Sequence, residues 1–315
     1  MAAEQEASKS VSRKQFVKDT LGTLFTKFLL IFLKVGVSVV TARVLGPAGR
    51  GAFYSSVQVS GLTNTIGTLS VGEGIIYHIG KGDIQRKNIL STVFLLVLGF
   101  TLILWSILYL TFPYLTEHLL DELAPETLDL IFIMMPFMMF EYIASSALRG
   151  MKLFGTTNKL TIITRVNILV LLAATLLLYS PSIYYGLLAY TSALGINTFL
   201  YIITLYKASD RQLGIDFGCF PKILKYSGKV HPGTLFTEVE YRLDVFILLY
   251  FIDVAAVGIY SIGVTVAQIL WYISNAINSV LFPHLTSAGD HEDKDLFAAK
   301  VIKYNLLINF FSCIC

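Results

Sequence analysis

Charged side chains inside long apolar stretches are the residues of this sequence best placed to do chemistry. An ionisable group at membrane depth is costly, so it usually faces a water-filled cavity or a charged partner. The basic residues of this kind are Lys27, Lys34, Arg165 and Arg242. Cations grouped around one cavity attract anions, so we expect these four residues to contact an anionic substrate. For Arg165 the alternative is a structural salt bridge to Glu141 on the neighbouring stretch.

Two carboxylates in the same setting indicate coupling to a proton or a cation. Glu240 and Asp244 are four residues apart, so a continuous helix would place both on one face. Two like charges so close would share a proton or bind a cation. The alternative is a structural ion pair, because Glu238 and Arg242 have the same spacing and opposite charges.

Polar side chains recur at helical spacing along two further apolar stretches. Steps of three and four residues keep side chains on one face of a helix. The residues predicted to line the cavity are Gln58, Thr65, Thr68, Gln268 and Asn275. The competing interpretation is close helix packing, which small and hydroxyl-bearing residues favour in membranes.

The composition requires membrane helices to position these side chains. Of 315 residues, 55% are hydrophobic and 14% are charged, whereas soluble domains have about 25% charged residues. This excludes an ordinary soluble enzyme, a nucleic-acid-binding protein and a disordered chain. Apolar stretches of about 20 residues cross a bilayer, and within lipid they must be helical. The predicted spans are 21–45, 53–79, 89–112, 127–148, 160–179, 183–206, 232–252 and 254–285, with a ninth that opens near residue 300 and is cut short at 315.

The distribution of basic residues predicts the orientation. Most of the 24 lysines and arginines fall in the N-terminal tail and in alternate loops, which places the N-terminus in the cytoplasm of a multi-pass plasma or inner membrane protein. The opposite side carries little positive charge beyond Arg50, and its longest loop, 113–126, is acidic. Five histidines and three cysteines lack metal-ligand spacing, so neither a metal nor a cofactor is predicted.

A weak internal repeat predicts two related lobes. Gly51 and Gly258 are 207 residues apart, as are Phe53 and Tyr260. Both copies start in the cytoplasm, which makes the repeat parallel. The expected fold is an all-α polytopic bundle: a cytoplasmic tail (1–20), a complete six-helix lobe (21–206), a basic linker (207–231) and a partial second lobe (232–315) with eight full spans in total.

Several short segments resemble one transporter family in their order and spacing. The segment ARVLGPAGRG at 42–51 resembles the end of the first helix and the first outer loop of polysaccharide biosynthesis flippases, which belong to the multidrug/oligosaccharidyl-lipid/polysaccharide exporter superfamily. The segment from Leu148 to Asn158 resembles the loop after their fourth helix. Further matches are Arg242-Leu243-Asp244, Val257-Gly258-Ile259-Tyr260 and Leu281-Phe282-Pro283, which resemble helices 7 and 8.

The resemblance implies two six-helix lobes around a central cavity that opens alternately to each side. It implies export of a polyprenyl-pyrophosphate-linked oligosaccharide to the outer leaflet for O-antigen, capsule or exopolysaccharide assembly. The implied partners are this lipid-linked oligosaccharide, membrane lipids, H⁺ or Na⁺ as coupling ion, and polysaccharide assembly proteins, with no nucleic acid. Members carry 12 or 14 spans, so a chain that stops in its ninth is expected to be an incomplete transporter.

Three other functions compete with the flippase. A multidrug exporter of the same superfamily would favour an acidic, aromatic cavity, whereas the predicted cavity is basic. A membrane polysaccharide polymerase or glycosyltransferase needs a large outer loop with catalytic residues, and the longest outer loop here has about 14 residues. A membrane scaffold without transport activity is the third alternative.

Overall fold

A computed structural model describes the backbone of residues 2–118, 125–267 and 303, and the side chains of 21–111, 127–267 and 303. Its described elements are helices: α1 (Ala2–Thr68), α2 (Val71–Lys81), a 3-10 turn (Arg86–Asn88), α3 (Ile89–His118), α4 (Pro125–Gly150), α5 (Phe154–Leu178), α6 (Ile183–Ala208), α7 (Cys219–Glu240), α8 (Leu243–Phe251) and α9 (Val254–Ala267). The chain divides into two compact units, residues 1–35 with 263–315 and residues 36–262.

Membrane-length helices dominate the described chain. Five helical stretches in it are long and apolar enough to cross a bilayer, namely Leu21–Thr68, Arg86–Thr111, Thr127–Gly150, Phe154–Leu178 and Ile183–Ala208. The predicted all-helical, multi-pass membrane architecture is confirmed at this level.

Helix α1 folds back on itself at Gly46. The Arg50 side chain donates to the backbone oxygen of Ser38 at 2.8 Å. Twelve residues of straight helix would separate these positions by about 18 Å, more than twice the reach of an arginine side chain. Gly46 supplies the turn with a φ of 67°, and Pro47, which lacks an N–H, starts the second arm, 47–68. The two arms thus correspond to the first two predicted spans.

The second predicted span, 53–79, is interrupted. Leu69 and Ser70 both have positive φ values, 48° and 53°, and α2 begins after them. Each left-handed residue of this type costs about 1 kcal/mol, so surrounding contacts must hold the break. One such contact joins Ser70 Oγ to His231 Nδ1 of α7 at 3.1 Å.

Helix α2 is held close to α4 and α7. A Cβ at Gly72 would lie 2.5 Å from Ser146 Oγ of α4, and one at Gly74 would lie 2.7 Å from the backbone oxygen of Ile223 in α7. Only glycine permits these close approaches. Because α2 is packed in this way against α4 and α7, it does not extend the helical arm 47–68 in a straight line.

The predicted unbroken span 232–252 is wrong. Helix α7 starts at Cys219, which makes the second half of the predicted linker 207–231 helical, and it ends at Glu240. Two residues separate it from α8, which ends at Phe251. The predicted span 254–285 is described only to Ala267, as α9. Gln268, Asn275 and the ninth span lie outside the described residues.

The main apolar core lies among α2 to α6, with α4 at its centre. Met134, Met139, Ile143 and Leu148 of α4 have no solvent exposure. Leu172 of α5 and Leu187 of α6 are likewise fully buried. This packing fixes the relative positions of α4, α5 and α6, which carry one group of candidate site residues.

Candidate functional site: two arginine clusters

Arg242 joins the end of α7 to the second arm of α1. Its Nε donates to Glu238 Oε2 at 2.9 Å, and its Nη2 lies 2.8 Å from the same oxygen. Its Nη1 donates to the Gln58 side-chain oxygen at 2.7 Å. A Cβ at Gly61 would lie 2.4 Å from Nη1, so that glycine makes room for the guanidinium. We call this group, Gln58, Glu238 and Arg242, the Arg242 junction.

The arginine of this junction is already satisfied. The Glu238 carboxylate balances its charge, and the side-chain oxygen of Gln58 accepts a hydrogen bond from its Nη1. Gln58 in turn donates from Nε2 to the Tyr54 hydroxyl at 3.0 Å. The predicted pairing of Glu238 with Arg242 is therefore present, and the contact with Gln58, 184 residues away, adds a link that the sequence does not reveal.

Asp244 has partners other than Glu240. Its Oδ1 accepts from the backbone N–H of Val245 at 2.8 Å, and its Oδ2 accepts a hydrogen bond from the Tyr260 hydroxyl of α9. Glu240 and Asp244 do not lie on one continuous helix, because α7 ends at Glu240 and α8 begins at Leu243. Their shared role in coupling stays a prediction. Glu240 is exposed.

Arg50 is a functional candidate that the sequence reasoning missed. The sequence pattern assigns it to an outer loop, but its side chain is only 4% exposed. Besides Ser38, it donates to Thr41 Oγ1 at 2.6 Å and, from Nε, to Ser261 Oγ of α9 at 2.8 Å. The signal that could have singled it out is its isolation on the side that is otherwise poor in basic residues.

The second arm of α1 and α9 cross in backbone contact at Gly51 and Gly258. A Cβ at Gly51 would lie 1.7 Å from the Val254 oxygen, and a Cβ at Gly258 would lie 1.9 Å from the Pro47 oxygen. The contact is reciprocal, since 47 and 51 meet 254 and 258, the positions related by the 207-residue offset. We call this pair the glycine crossing.

Arg165 belongs to a different environment, which we call the Arg165 cluster (Glu141, Arg165 and Tyr190). The Tyr190 hydroxyl of α6 lies within hydrogen-bonding reach of Arg165, and Glu141 of α4 interacts with it electrostatically. Arg165 therefore lies on the face of α5 that is turned toward α4 and α6. Part of the surface of Arg165 is nonetheless exposed.

Buried polar atoms also occur on α5 and α6. Asn167 Nδ2 on α5 donates to Asn197 Oδ1 on α6 at 2.9 Å. Thr164 Oγ1 and Asn197 Nδ2 are buried without a hydrogen-bond partner among the described residues. Unpaired polar atoms in an interior are costly, and water or a polar ligand usually satisfies them. Thr164 and Asn197 therefore offer hydrogen-bonding atoms to water or to a polar ligand.

The other predicted site residues lie elsewhere. Thr65 and Thr68 direct their hydroxyls to backbone oxygens of their own helix, at 3.1 and 2.8 Å, so their side chains add polarity without reaching another helix. Lys27 is half-buried and Lys34 is exposed. Both belong to the unit formed by 1–35 and 263–315, whereas Arg165 and Arg242 belong to the unit 36–262.

A separate ionisable cluster lies outside the membrane-length helices. His78 Nδ1 contacts Asp83 Oδ2 at 2.7 Å, and its Nε2 contacts the backbone oxygen of Lys222 in α7 at 3.1 Å. The hydrogen bond with His78 holds the pKa of Asp83 below its ordinary value, with help from the nearby lysines, Lys81 and Lys222. The rings of Tyr77 in α2 and Tyr226 in α7 stack with their centroids 4.3 Å apart, so α2 and α7 pack against each other here.

The comparison with protein families decides the family. The chain matches the family model described as "Polysaccharide biosynthesis protein" over residues 16–288. The chain belongs to the polysaccharide biosynthesis protein family. The resemblance drawn from the short sequence motifs is thus confirmed, and the matched range includes both arginine clusters.

Solved structures similar to this family member are MATE transporters, which belong to the same superfamily. One is the Vibrio cholerae MATE transporter VcmN, solved as a mutant, with a TM-score of 0.62 and 17% sequence identity. The match covers 98% of this chain and 71% of the VcmN chain. The MATE multidrug transporter DinF-BH, solved as a complex, has a TM-score of 0.66 and 14% identity over 86% of this chain and 64% of its own.

The bent form of VcmN from Vibrio cholerae has a TM-score of 0.60 and 17% identity over 87% of this chain and 65% of its own. At these identities the likeness shows a shared fold. The chain spans about two thirds of the length of these structures. No curated protein matches it.

The family and its structural neighbours are transporters rather than enzymes. In the part of the chain that the structure describes, no group of three or more His, Cys, Asp or Glu residues is placed to hold a metal ion. What the geometry offers is two arginines, each near a carboxylate: Arg242 beside Glu238 at a helix junction, and Arg165 near Glu141 and Tyr190.

Proposed function

We propose that this protein is a flippase, or the main part of one, that moves a polyprenyl-pyrophosphate-linked oligosaccharide from the cytoplasmic to the outer leaflet for O-antigen or exopolysaccharide assembly. The membership in the polysaccharide biosynthesis family supports the glycan part of this proposal. The protein acts in the plasma or inner membrane with its N-terminus in the cytoplasm, and it hands its product to polysaccharide assembly proteins.

Arg165 is the observation that carries the substrate assignment. A pyrophosphate has several anionic oxygens, and a guanidinium binds such groups with two parallel hydrogen bonds. Arg165 is exposed between α4, α5 and α6, and a tyrosine and a half-buried glutamate are its neighbours there. Lys27 and Lys34 stay predictions from the sequence as further anion contacts, and Arg242 contributes mainly by fixing the helices to which it is bonded.

The proposed mechanism is alternating access between two lobes, 21–206 and 232–315, joined by the linker 207–231. The glycine crossing supports it, because Gly51 and Gly258, which the sequence repeat relates, are in reciprocal contact. The Arg50–Ser261 hydrogen bond lies beside this crossing. Opening of the outer side would separate the second arm of α1 from α9 and break that bond.

Coupling to H⁺ or Na⁺ is assigned to Asp244, with Glu240 as the second carboxylate. The hydrogen bond from Tyr260 to Asp244 supports a protonation-linked role, since protonating the carboxylate would weaken it as an acceptor. We expect Asp244→Asn to flatten the pH dependence of flipping. Tyr260→Phe, which keeps the carboxylate, should shift that dependence without removing it.

The proposal is tested in a flippase-null strain that carries the full-length gene. We expect the wild type to restore surface polysaccharide and Arg165→Ala to leave lipid-linked oligosaccharide on the cytoplasmic leaflet. Arg165→Lys should retain part of the activity because it keeps the charge. Lys159→Ala is the matched control, as it removes an exposed positive charge from the start of the same helix. Failure of the wild type to restore polysaccharide would refute the proposal.

A multidrug exporter is the second candidate, favoured by the likeness to the MATE multidrug transporter DinF-BH. Half-buried acids such as Glu141 and Glu238 would then contact a cationic drug. The two functions are separated in one strain background. Drug resistance that survives Arg165→Ala but not Glu141→Gln, without any rescue of polysaccharide, would favour the exporter.

A further inference from the structure

An apolar groove lies on the unit 36–262, away from both arginine clusters. Its volume is about 520 Å³. The start of α3, the end of α6 and the segment that follows α6 form its walls. Its principal lining residues are Leu90, Phe94, Ile202, Tyr206, Leu213 and Ile215. The only polar groups among its lining side chains are the hydroxyls of Ser91 and Tyr206.

The third wall is formed by the segment 212–218, which we call the strap and which follows α6. Leu213 and Ile215 of the strap line the groove, and Phe217 follows them. These three side chains, which we call the apolar row, are 68%, 62% and 71% exposed. Leucine, isoleucine and phenylalanine so exposed are unfavourable in water.

The strap is held against the start of α3 by specific contacts. Gly214 N–H donates to the Lys87 backbone oxygen at 2.8 Å. A Cβ at Gly214 would lie 2.2 Å from Asn88 Oδ1, so only glycine allows the strap to lie this close. The apolar row is therefore a fixed part of the groove wall.

Positive charge flanks the groove at the same end of the helices. Arg86 and Lys87 precede α3, whose Leu90 lines the groove, and both are exposed. Lys207 follows the lining residue Tyr206. The backbone N–H of Arg211 donates to the backbone oxygen of Tyr206 at 3.0 Å. Both are also exposed.

Acidic residues on the same segment only partly offset this charge. Asp210 is exposed and Asp216 is half-buried. Asp216 Oδ1 accepts from the Gly218 N–H at 2.8 Å, so part of its hydrogen-bonding capacity serves its own turn. Four basic residues and two acids leave the rim of the groove cationic.

We propose that this groove binds one acyl chain of an anionic phospholipid, whose phosphate lies against Arg86, Lys87, Lys207 and Arg211. Helices α3 and α6 are long enough to cross the bilayer and the groove lies at their ends, at the boundary of hydrocarbon and headgroups. An unbranched hydrocarbon chain matches the apolar lining, and an anionic headgroup matches the rim. On the predicted orientation this site lies in the cytoplasmic leaflet.

The test compares lipids with one acyl chain composition and different headgroups. Full-length protein is reconstituted in phosphatidylcholine bilayers with spin-labelled phosphatidylglycerol or spin-labelled phosphatidylcholine, and the motionally restricted fraction is measured. We expect the wild type to prefer phosphatidylglycerol. Each basic residue near a membrane surface contributes about a fivefold preference, so Arg86→Gln with Lys87→Gln should reduce it by more than about tenfold. Lys152→Gln with Lys159→Gln is the control, because it removes two exposed basic residues that do not flank the groove, and it should reduce the preference much less. An equal reduction would show a general attraction to the surface and would overturn the proposal.

A second variant separates the acyl chain from the headgroup. Ile215→Asp places a charge in the groove wall and should remove the restricted phosphatidylglycerol while the protein stays folded, as judged by its thermal midpoint. Equal binding of both lipids by the wild type would overturn the proposal. Displacement of phosphatidylglycerol by inorganic phosphate, together with unchanged phosphatidylglycerol binding in Ile215→Asp, would also overturn it. That pair of results would indicate a site for a free anion. A dimer that buries the groove would overturn it as well.

Discussion

Arg165 and Arg242 are both arginines in apolar stretches of one unit, yet their surroundings differ. Arg242 is half-buried and donates to Glu238 and Gln58, which belong to different parts of the chain. Arg165 is exposed, and the buried hydroxyl of its neighbour Thr164 has no hydrogen-bond partner among the described residues. Both arginines have partners within the protein, since Arg165 lies within reach of Tyr190 and interacts with Glu141, but more of the surface of Arg165 is exposed. On this difference we propose that Arg242 positions helices and that Arg165 contacts the substrate.

The largest effect is expected at the glycine crossing beside the Arg242 junction. Gly51→Ala would place a Cβ 1.7 Å from the Val254 backbone oxygen, and a backbone atom cannot rotate away. Such overpacking costs about 3 kcal/mol, and we expect a lower thermal midpoint together with lost flipping. Gly99→Ala is the control, because nothing lies within 4 Å of its Cβ. If Gly51→Ala were as stable and active as Gly99→Ala, the crossing would have no structural role.

Arg165→Ala should cost transport rather than stability. Removal of charged hydrogen bonds to the substrate phosphates costs about 2 kcal/mol, which corresponds to about a thirtyfold slower flipping rate. The thermal midpoint should stay close to that of the wild type, since the residue is exposed. Flipping is measured by the appearance of lipid-linked oligosaccharide on the outer leaflet. An equal loss of flipping in Lys159→Ala would show that the effect is not specific to Arg165.

Arg242→Ala should show the opposite pattern, a loss of stability of about 1.5 kcal/mol with a proportionate loss of transport. A double-mutant cycle with Glu238→Ala measures the pair directly. Their side chains are 19% and 31% exposed, so screening by solvent limits the coupling to about 1 kcal/mol. A coupling energy near zero would mean that the observed ion pair does not hold the junction together.

The smallest effect is a pH dependence at the His78–Asp83 contact, remote from both arginines. The hydrogen bond with His78 depresses the folded-state pKa of Asp83, so its contribution is present above the unfolded pKa of about 3.9 and is lost as pH falls through the lower folded value. Asp83→Asn should therefore lower the thermal midpoint near neutral pH but not in strong acid. A difference that persists unchanged below about pH 3 would contradict this assignment.

Local sequence rules predicted those features that depend on nearby residues. The predicted end of the first span at residue 45 agrees with the turn at Gly46, and the four-residue spacing of Glu238 and Arg242 produced the pair that is present. The family followed from short motifs whose match is confirmed over 16–288. Each of these signals lies within a few residues of chain.

Features set by distant contacts could not be predicted. Leu69 and Ser70 are ordinary helix residues, and their left-handed conformations follow from the way α2 packs against α4 and α7. The break after Glu240 separates it from Asp244, and Gln58 meets Arg242 across 184 residues. The burial of Arg50 has the same origin, since it depends on Ser261 of α9.

The most direct test of the difference between the two arginines measures flipping rate and thermal midpoint on the same preparations of wild type, Arg165→Ala and Arg242→Ala. The expected result is that Arg165→Ala is as stable as the wild type but slow, whereas Arg242→Ala loses stability and activity together. Normal flipping by a stable Arg165→Ala protein would contradict the assignment of Arg165 as the anion contact.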